Sequence, residues 1–287
     1  VLLCFQQAPQ KLKPAPKGDL KENNVLVFSP LQGVGGAVSL KLSHFLGNNM
    51  QIIPVLDLWQ NQVVHARAGQ RAEYKPIQSK LCDSSEPLEV LKALAAYYPI
   101  SHCYIADLNA LQQQTPQIEI INQLAQAFPQ ITFYLDSGLC KLADYENWAT
   151  AYATQRIYPI LGSETLTSFS DYQQIRAVAK NSLLSLDFFQ GQFLGDMALL
   201  EHSESWTPRV ILLNLHRVGT QSGIEFAQLQ QFQQRAPECA WIVAGGARDL
   251  EDLQHLKQQG AAGILCATAL HDLSFAPQSV AAYFEMS

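Results

Sequence analysis

The stretch VLDLWQNQVV, residues 55–64, returns as SLDFFQGQFL at residues 185–194. Both contain Leu-Asp, two apolar residues, Gln, a turn residue, Gln and two apolar residues. The two aspartates, Asp57 and Asp187, lie 130 positions apart. A chain that writes the same strand and turn twice is constrained to fold as two like halves. The repeat extends further. YLDSGLCKLADY matches IVAGGARDLEDL, each a strand, a Gly-containing turn and a helix start with Leu followed by acids. YPILGSETL matches GILCATALHD, each an apolar run, small residues and a short helix-like turn.

Between these landmarks short apolar runs alternate with longer helical segments. The expected strands are Ile52–Asp57, His102–Asp107, Ile131–Leu135, Ile157–Leu161, Leu183–Asp187, Val210–Leu215, Trp241–Ala244 and Gly263–Cys266. Most are apolar throughout, as suits parallel strands buried on both faces. Helices are expected at Pro87–Tyr98, Pro116–Phe128, Ser170–Lys180, Phe226–Arg235 and Leu250–Gln259, each the length a parallel crossover needs. Eight such units after residue 49 predict an α/β fold, a (β/α)8 TIM barrel with half-repeats over about 50–180 and 181–287. A doubly wound open sheet is the competitor, and the internal repeat argues against it.

Residues 1–49 differ in character. KLKPAPKGDLKENN is basic and polar with no hydrophobic period, and LQGVGGAVSL lacks the Gly-Lys-Ser/Thr ending of a phosphate loop. This part is expected to be a poorly structured leader, or upstream sequence translated by mistake ahead of Met50. A secretory signal is a poor match. A net charge of −6 with no cluster of Lys or Arg excludes nucleic acid as the expected partner. No apolar run is long enough for a membrane span. Six scattered cysteines without a Cys-x-x-Cys motif predict reduced thiols in a cytoplasmic protein.

In a TIM barrel the working residues stand at the C-terminal ends of the strands. Here those ends hold Asp57, Asp107, Asp136, Asp187, Asn214 and His216. Asp57 and Asp187 end strands one and five, which face each other across an eight-stranded barrel. Two such carboxylates can serve as general acid and general base if their environments push their pKa values apart. The small-residue turns form a second constellation, since glycine lets a backbone approach a ligand and helix N-termini offer free N–H donors. Gly245, Gly246, Ala267 and Thr268 follow strands seven and eight. Ser137, Gly138, Gly162 and Ser163 are their counterparts in the first half. Two such sites suit a substrate with a phosphate at each end. The same carboxylates with His216 could face one Mg²⁺ or Mn²⁺, but no ligand-spacing motif supports a metal, and no cofactor is expected. His102, His202, His255 and His271 are assigned to packing or the surface.

Six segments together give the chain a resemblance: IIPVLDLWQNQVV, YIADLNAL, LLSLDFFQGQF, HRVGTQSG, VAGGARDLEDL and GILCATALHD. In this order and spacing the chain resembles the HisA/HisF family of histidine biosynthesis, two-fold repeated TIM barrels, over nearly all of residues 50–287. The resemblance implies either an Amadori isomerase or an imidazole-closing cyclase fed by a glutaminase. In both, the acid–base aspartates match Asp57 and Asp187. It further implies substrate contacts from His65, Asp107, Asn214, His216 and Arg217, and phosphate contacts that include Gly219 and Thr220. There are departures. Asp136-Ser137-Gly138 replaces a glycine-rich turn, and an acid there repels phosphate. Ala267-Thr268 replaces a Gly-Arg type pair, and His216-Arg217-Val218 stands where an Asp usually precedes Gly-Thr. These features are similar to a divergent HisA/HisF-related branch found in methanogens and methylotrophs.

Three functional expectations follow. The first is a HisA-like isomerase acting on a phosphorylated sugar-amine. The second is a paralogue in one-carbon coenzyme biosynthesis, a lyase or condensing enzyme, with Arg67, Arg71, Tyr74 and Lys75 meeting a different substrate. The third is a non-catalytic barrel that binds a metabolite, a partner subunit or a second copy of itself.

Overall fold

The eight apolar runs pair in parallel and close on themselves. The computed structural model describes residues 50–65, 74–152, 156–217 and 223–280. The barrel strands are β1 (Gln51–Trp59), β4 (His102–Asp107), β5 (Thr132–Asp136), β6 (Ile157–Gly162), β7 (Leu183–Phe189), β9 (Arg209–Asn214), β10 (Ala240–Ala244) and β11 (Gly263–Cys266). Each pairs with the next, and β11 returns to β1 through Gln51–Gly263 to Pro54–Cys266. The expected TIM barrel is therefore present, with all eight strands where the apolar runs lie.

The repeated Leu-Asp segment is a strand plus a hairpin. β2 (Gln62–His65) folds back on β1, and β8 (Gln192–Leu194) folds back on β7. Each turn has two central residues at positive φ: Gln60 and Asn61 at 50° and 61°, Gln190 and Gly191 at 50° and 79°. That is the turn whose twist matches two antiparallel strands, and Asn and Gly tolerate it best. A two-residue β3 (Lys75–Pro76) extends the first hairpin.

The outer layer is made by α1 (Pro87–Tyr97), α2 (Leu108–Leu111), α3 (Ile118–Ala127), α4 (Leu142–Ala151), α5 (Phe169–Val178), α6 (Ala198–Glu201), α7 (Phe226–Arg235), α8 (Leu250–Gln258) and α9 (Thr268–His271). The five expected helices lie within about two residues of their observed ends. After β7 the full helix is replaced by the short α6 and a 3₁₀ turn at Ser203–Ser205. Outward strand residues pack on these helices. Trp206, Phe232 and Trp241 meet with ring centres 5.8–5.9 Å apart. Burying a large apolar side chain of this kind contributes about 1.5–3 kcal/mol. Inward residues form a separate cluster, including Ile53, Val55, Tyr104, Tyr134, Leu183, Ile211 and Ile242, which fills the barrel. The mouth therefore has a solid floor. The five described cysteines are free thiols.

Candidate active site

Alternation along the strands decides which side chains reach the mouth. Ile53 and Val55 point inward on β1, so Asp57 does too. The same parity brings in Asp136 above Tyr134, and Ser185 and Asp187 above Leu183. Register aligns Asp57 with Ala106, and Ala106 with Asp136. Two strand spacings thus separate the Cα atoms of Asp57 and Asp136, about 9–10 Å. Asp57, Asp136 and Asp187 are all buried.

Asp187 is held on three sides. The Ser185 hydroxyl donates to its Oδ1 at 2.6 Å, and the Ser163 hydroxyl and the Glu164 amide donate to its Oδ2 at 3.1 Å each. The Asp187 amide in turn donates to Ser163 Oγ at 2.9 Å. Burial pushes its carboxyl up to about 7, with help from the Asp136 charge and against those three donors. Desolvation therefore outweighs hydrogen bonding at this position. Glu164, two residues past the end of β6, is partly buried. Its carboxyl is pushed up to about 9 by burial and then by the charges of Asp187 and Asp136. Asp136 is also raised by burial, although the Tyr104 phenol donates to it at 2.9 Å and the Gly138 amide at 3.3 Å. Burial and mutual charge thus disfavour ionising these carboxyls together, an arrangement suited to giving a proton and taking it back.

Three members of this constellation are absent from the sequence expectations: Tyr104, Glu164 and Ser185. Ser185 was within reach, because a residue two places before a strand-end aspartate shares its face. Tyr104 and Glu164 became visible only with the register and the turn in place.

The first-half turns depart from expectation. Gly138, at φ +70°, gives its amide to Asp136. Ser163 and the amide after it serve Asp187. Gly138 and Ser163 were expected to face a phosphate, and buried carboxylates have taken their donors. Gly162 shares that turn, where a Cβ would lie 3.5 Å from Asp187 Oδ2. The hydroxyl of Ser137 is buried without a partner. In the second half, Gly245 and Gly246 are at φ +97° and +90°. A Cβ on Gly246 would lie 2.2 Å from the Gly223 carbonyl oxygen, and the Gly223 amide donates to the Gly246 carbonyl at 2.9 Å. The loop before α7 crosses this turn too closely for any side chain. Ala267 and Thr268 open α9, where no side chain caps the helix. Gly219, Thr220, Arg67 and Arg71 lie outside the described residues.

Asp107 and Asn214 are not brought to the mouth, contrary to expectation. Their neighbours Ala106 and Leu213 point inward, so they point outward. Asp107 accepts from the Ala110 amide at 3.1 Å and from the amide and side chain of Gln117 at 2.8 and 2.9 Å. Asn214 donates to Gln228 Oε1 at 3.0 Å. Both brace the helix that follows. Two residues on from each, the hairpin of the preceding half-strand is caught: Asn109 Oδ1 accepts the Gln60 amide at 3.0 Å, and His216 Nδ1 accepts the Gln190 amide at 3.2 Å. His216 is thus a hairpin clamp, packed edge-on against Phe189. Arg217 is ion-paired with Glu225 and donates to the Gly223 carbonyl at 2.9 Å. His65 pairs across the hairpin with Lys75. Among the described residues no group of three or more His, Cys, Asp or Glu is placed to hold a metal ion. Nor is any helix among them long and apolar enough to cross a membrane.

A closed barrel, facing strand-end aspartates and paired hairpins define a class, and comparison with known proteins agrees with it. The family of the histidine biosynthesis protein matches residues 51–276. The chain belongs to that family. It is also similar to an uncharacterized protein of Methanocaldococcus jannaschii, 33% identical over 224 residues, covering 77% of this chain and 93% of that one.

Proposed function

We propose that the protein is an acid–base isomerase acting on a sugar-amine that carries a phosphate at one end. The observation that carries this reading is the environment of Asp187, whose carboxyl, at about 7, is poised to donate a proton near neutral pH. In such a reaction Asp187 protonates the ring oxygen of an aminoaldose, and the C1–O bond breaks as the nitrogen lone pair forms C1=N. Asp57 then removes the C2 proton to give the enaminol. Uptake of a proton at C1, with loss of the C2 hydroxyl proton as the C2 carbonyl forms, leaves the aminoketose. Gly245, Gly246, Ala267 and Thr268 are the turns proposed to hold the phosphate. The acids at the opposite turns favour a hydrogen-bond-donating amine end over a second phosphate.

The test follows an N-substituted ribosylamine 5-phosphate in D₂O by NMR. Deuterium is expected at C1 of the ketose product, and Asp57→Asn or Asp187→Asn should each slow its appearance by about 10²–10⁴-fold. Proton exchange that survives both substitutions would sink the reading. A second reading is favoured by Glu164 and Asp136 at the first-half turns: a paralogue with a different substrate, in one-carbon coenzyme biosynthesis. Complementation of a bacterium lacking the histidine-pathway isomerase separates the two. Growth that depends on Asp187 would place the protein in histidine biosynthesis, and failure from a folded protein would favour the paralogue. Tight metabolite binding untouched by Asp57→Asn, with no turnover, would instead indicate a non-catalytic barrel.

A further inference from the structure

Outside the barrel interior, a cavity of about 250 Å³ lies between the segment leading into α3, the turn after β5, and α4. Its walls are largely apolar, Pro116 and Leu139 among them. Three of its lining residues carry a buried polar atom with no hydrogen-bond partner: Ser137 Oγ, Trp148 Nε1 and Tyr152 OH. Trp148 and Tyr152 are only 8% and 5% exposed. Elsewhere among the described residues such atoms occur singly, as at Gln112 Nε2, Arg176 Nε and His271 Nε2, whereas other buried tryptophans are satisfied. The indole N–H groups of Trp206 and Trp241, for example, reach the carbonyls of Leu199 and Ala236 at 2.7 and 3.2 Å. Three orphans around one cavity are therefore an anomaly, since each leaves a hydrogen bond unmade.

The chemistry of the three atoms describes what would satisfy them. An indole N–H can only donate. Burial holds the Tyr152 phenol well above its ordinary range, so it also keeps its proton to donate. The ligand must then present acceptors. No lysine, arginine or histidine lines the cavity, and Asp144 does, its Oδ2 held by the amides of Cys140 and Lys141 at 3.2 and 3.1 Å. An anion would find no counter-charge and one like charge. The volume is about eight times that of one liquid water, which is room for a single substituted ring. Trp148 and Tyr152, with ring centres 5.2 Å apart, offer aromatic surface to such a ring.

We infer that this cavity is a binding site, separate from the acid–base pair, for a small uncharged ring compound bearing carbonyl or ring-nitrogen acceptors. Nicotinamide has that chemistry and serves as the probe. The full chain is labelled with ¹⁵N at its four tryptophans and titrated. One indole signal is expected to move downfield and saturate, and Trp148→Phe should remove that signal. Trp206 and Trp241, bonded internally, should stay still. Tyr152→Phe or Ser137→Ala should weaken binding about tenfold, the worth of one good hydrogen bond in a dry site. Asp187→Asn should leave it unchanged, which separates this cavity from the mouth. A shift that does not saturate, that is shared by all four indoles or that is missing altogether would overturn the inference and leave the cavity to water.

Discussion

Asp187 and Glu164 meet at the turn after β6, where the Glu164 amide donates to the Asp187 carboxylate. Both are carboxyls that desolvation holds protonated further up the pH scale than water would allow. If Asp187 supplies the proton, turnover needs its acid form. The rate should then fall as pH rises through about 7, the value at which that carboxyl loses its proton. Asp136 raises Asp187 through its charge, so Asp136→Asn should move this limb to lower pH. A pH–rate profile of the two proteins checks both points, and an unmoved limb would dissociate Asp136 from the acid. The two aspartates were legible in the sequence because the Leu-Asp repeat marks them. The surroundings of the Asp187 carboxyl were not, since they come from Ser185 on its own strand and from Ser163 and Glu164 in the turn after β6. Asp107 shows the converse. A strand-end aspartate read as substrate-binding turns outward by one position of parity, and Gln117 occupies it.

At the scale of the element, the paired hairpins are the most regular feature of the molecule. Each stands on a turn with two left-handed residues and is clipped by a side chain from the next strand's loop, Asn109 in one half and His216 in the other. Gly191, at φ +79°, meets nothing within 4 Å where a Cβ would stand, so backbone conformation alone limits substitution there. Gly191→Asn should be nearly neutral, as Asn61 holds the same place in the first hairpin. Gly191→Ile should cost about 1–2 kcal/mol, the left-handed penalty for a side-chain-bearing residue. Urea denaturation of the two variants measures this, and equal losses would mean that the turn changes type. α4 was foreseen only as a helix start. Trp148 is its one buried residue, so its apolar stripe is too thin to read.

Across the whole molecule, the buried carboxyls tie stability to pH. A group whose folded pKa is raised binds protons more tightly when folded than when unfolded. Its contribution is fully present below the ordinary carboxylate range, about 4, and is lost as pH climbs through the raised value. For Asp187 that window closes at about 7, and for Glu164 at about 9. Half-buried His102 and buried His271, both lowered to about 4 by burial, work in the opposite sense. Comparing the native chain with Asp187→Asn isolates the carboxyl. Thermal melts from about pH 5 to about pH 8 should show a shallower decline in the variant. Parallel curves would mean that the Asp187 carboxyl is not held protonated.

The sequence by itself determined the barrel, its internal repeat and the two facing aspartates. Each is written locally, in apolar runs of strand length and in one motif used twice. Tertiary structure alone decided which donors remain for a ligand. The Ser163 hydroxyl and the Gly138 amide look the same in a sequence whether they meet a phosphate or a buried carboxylate. Only the pairing of β6 with β7 brings Asp187 within reach of Ser163, while Asp136 takes the Gly138 amide from two residues away. The cavity beside α4 belongs to the same category, because its three unmatched donors come from a turn and a helix that meet only in the folded chain.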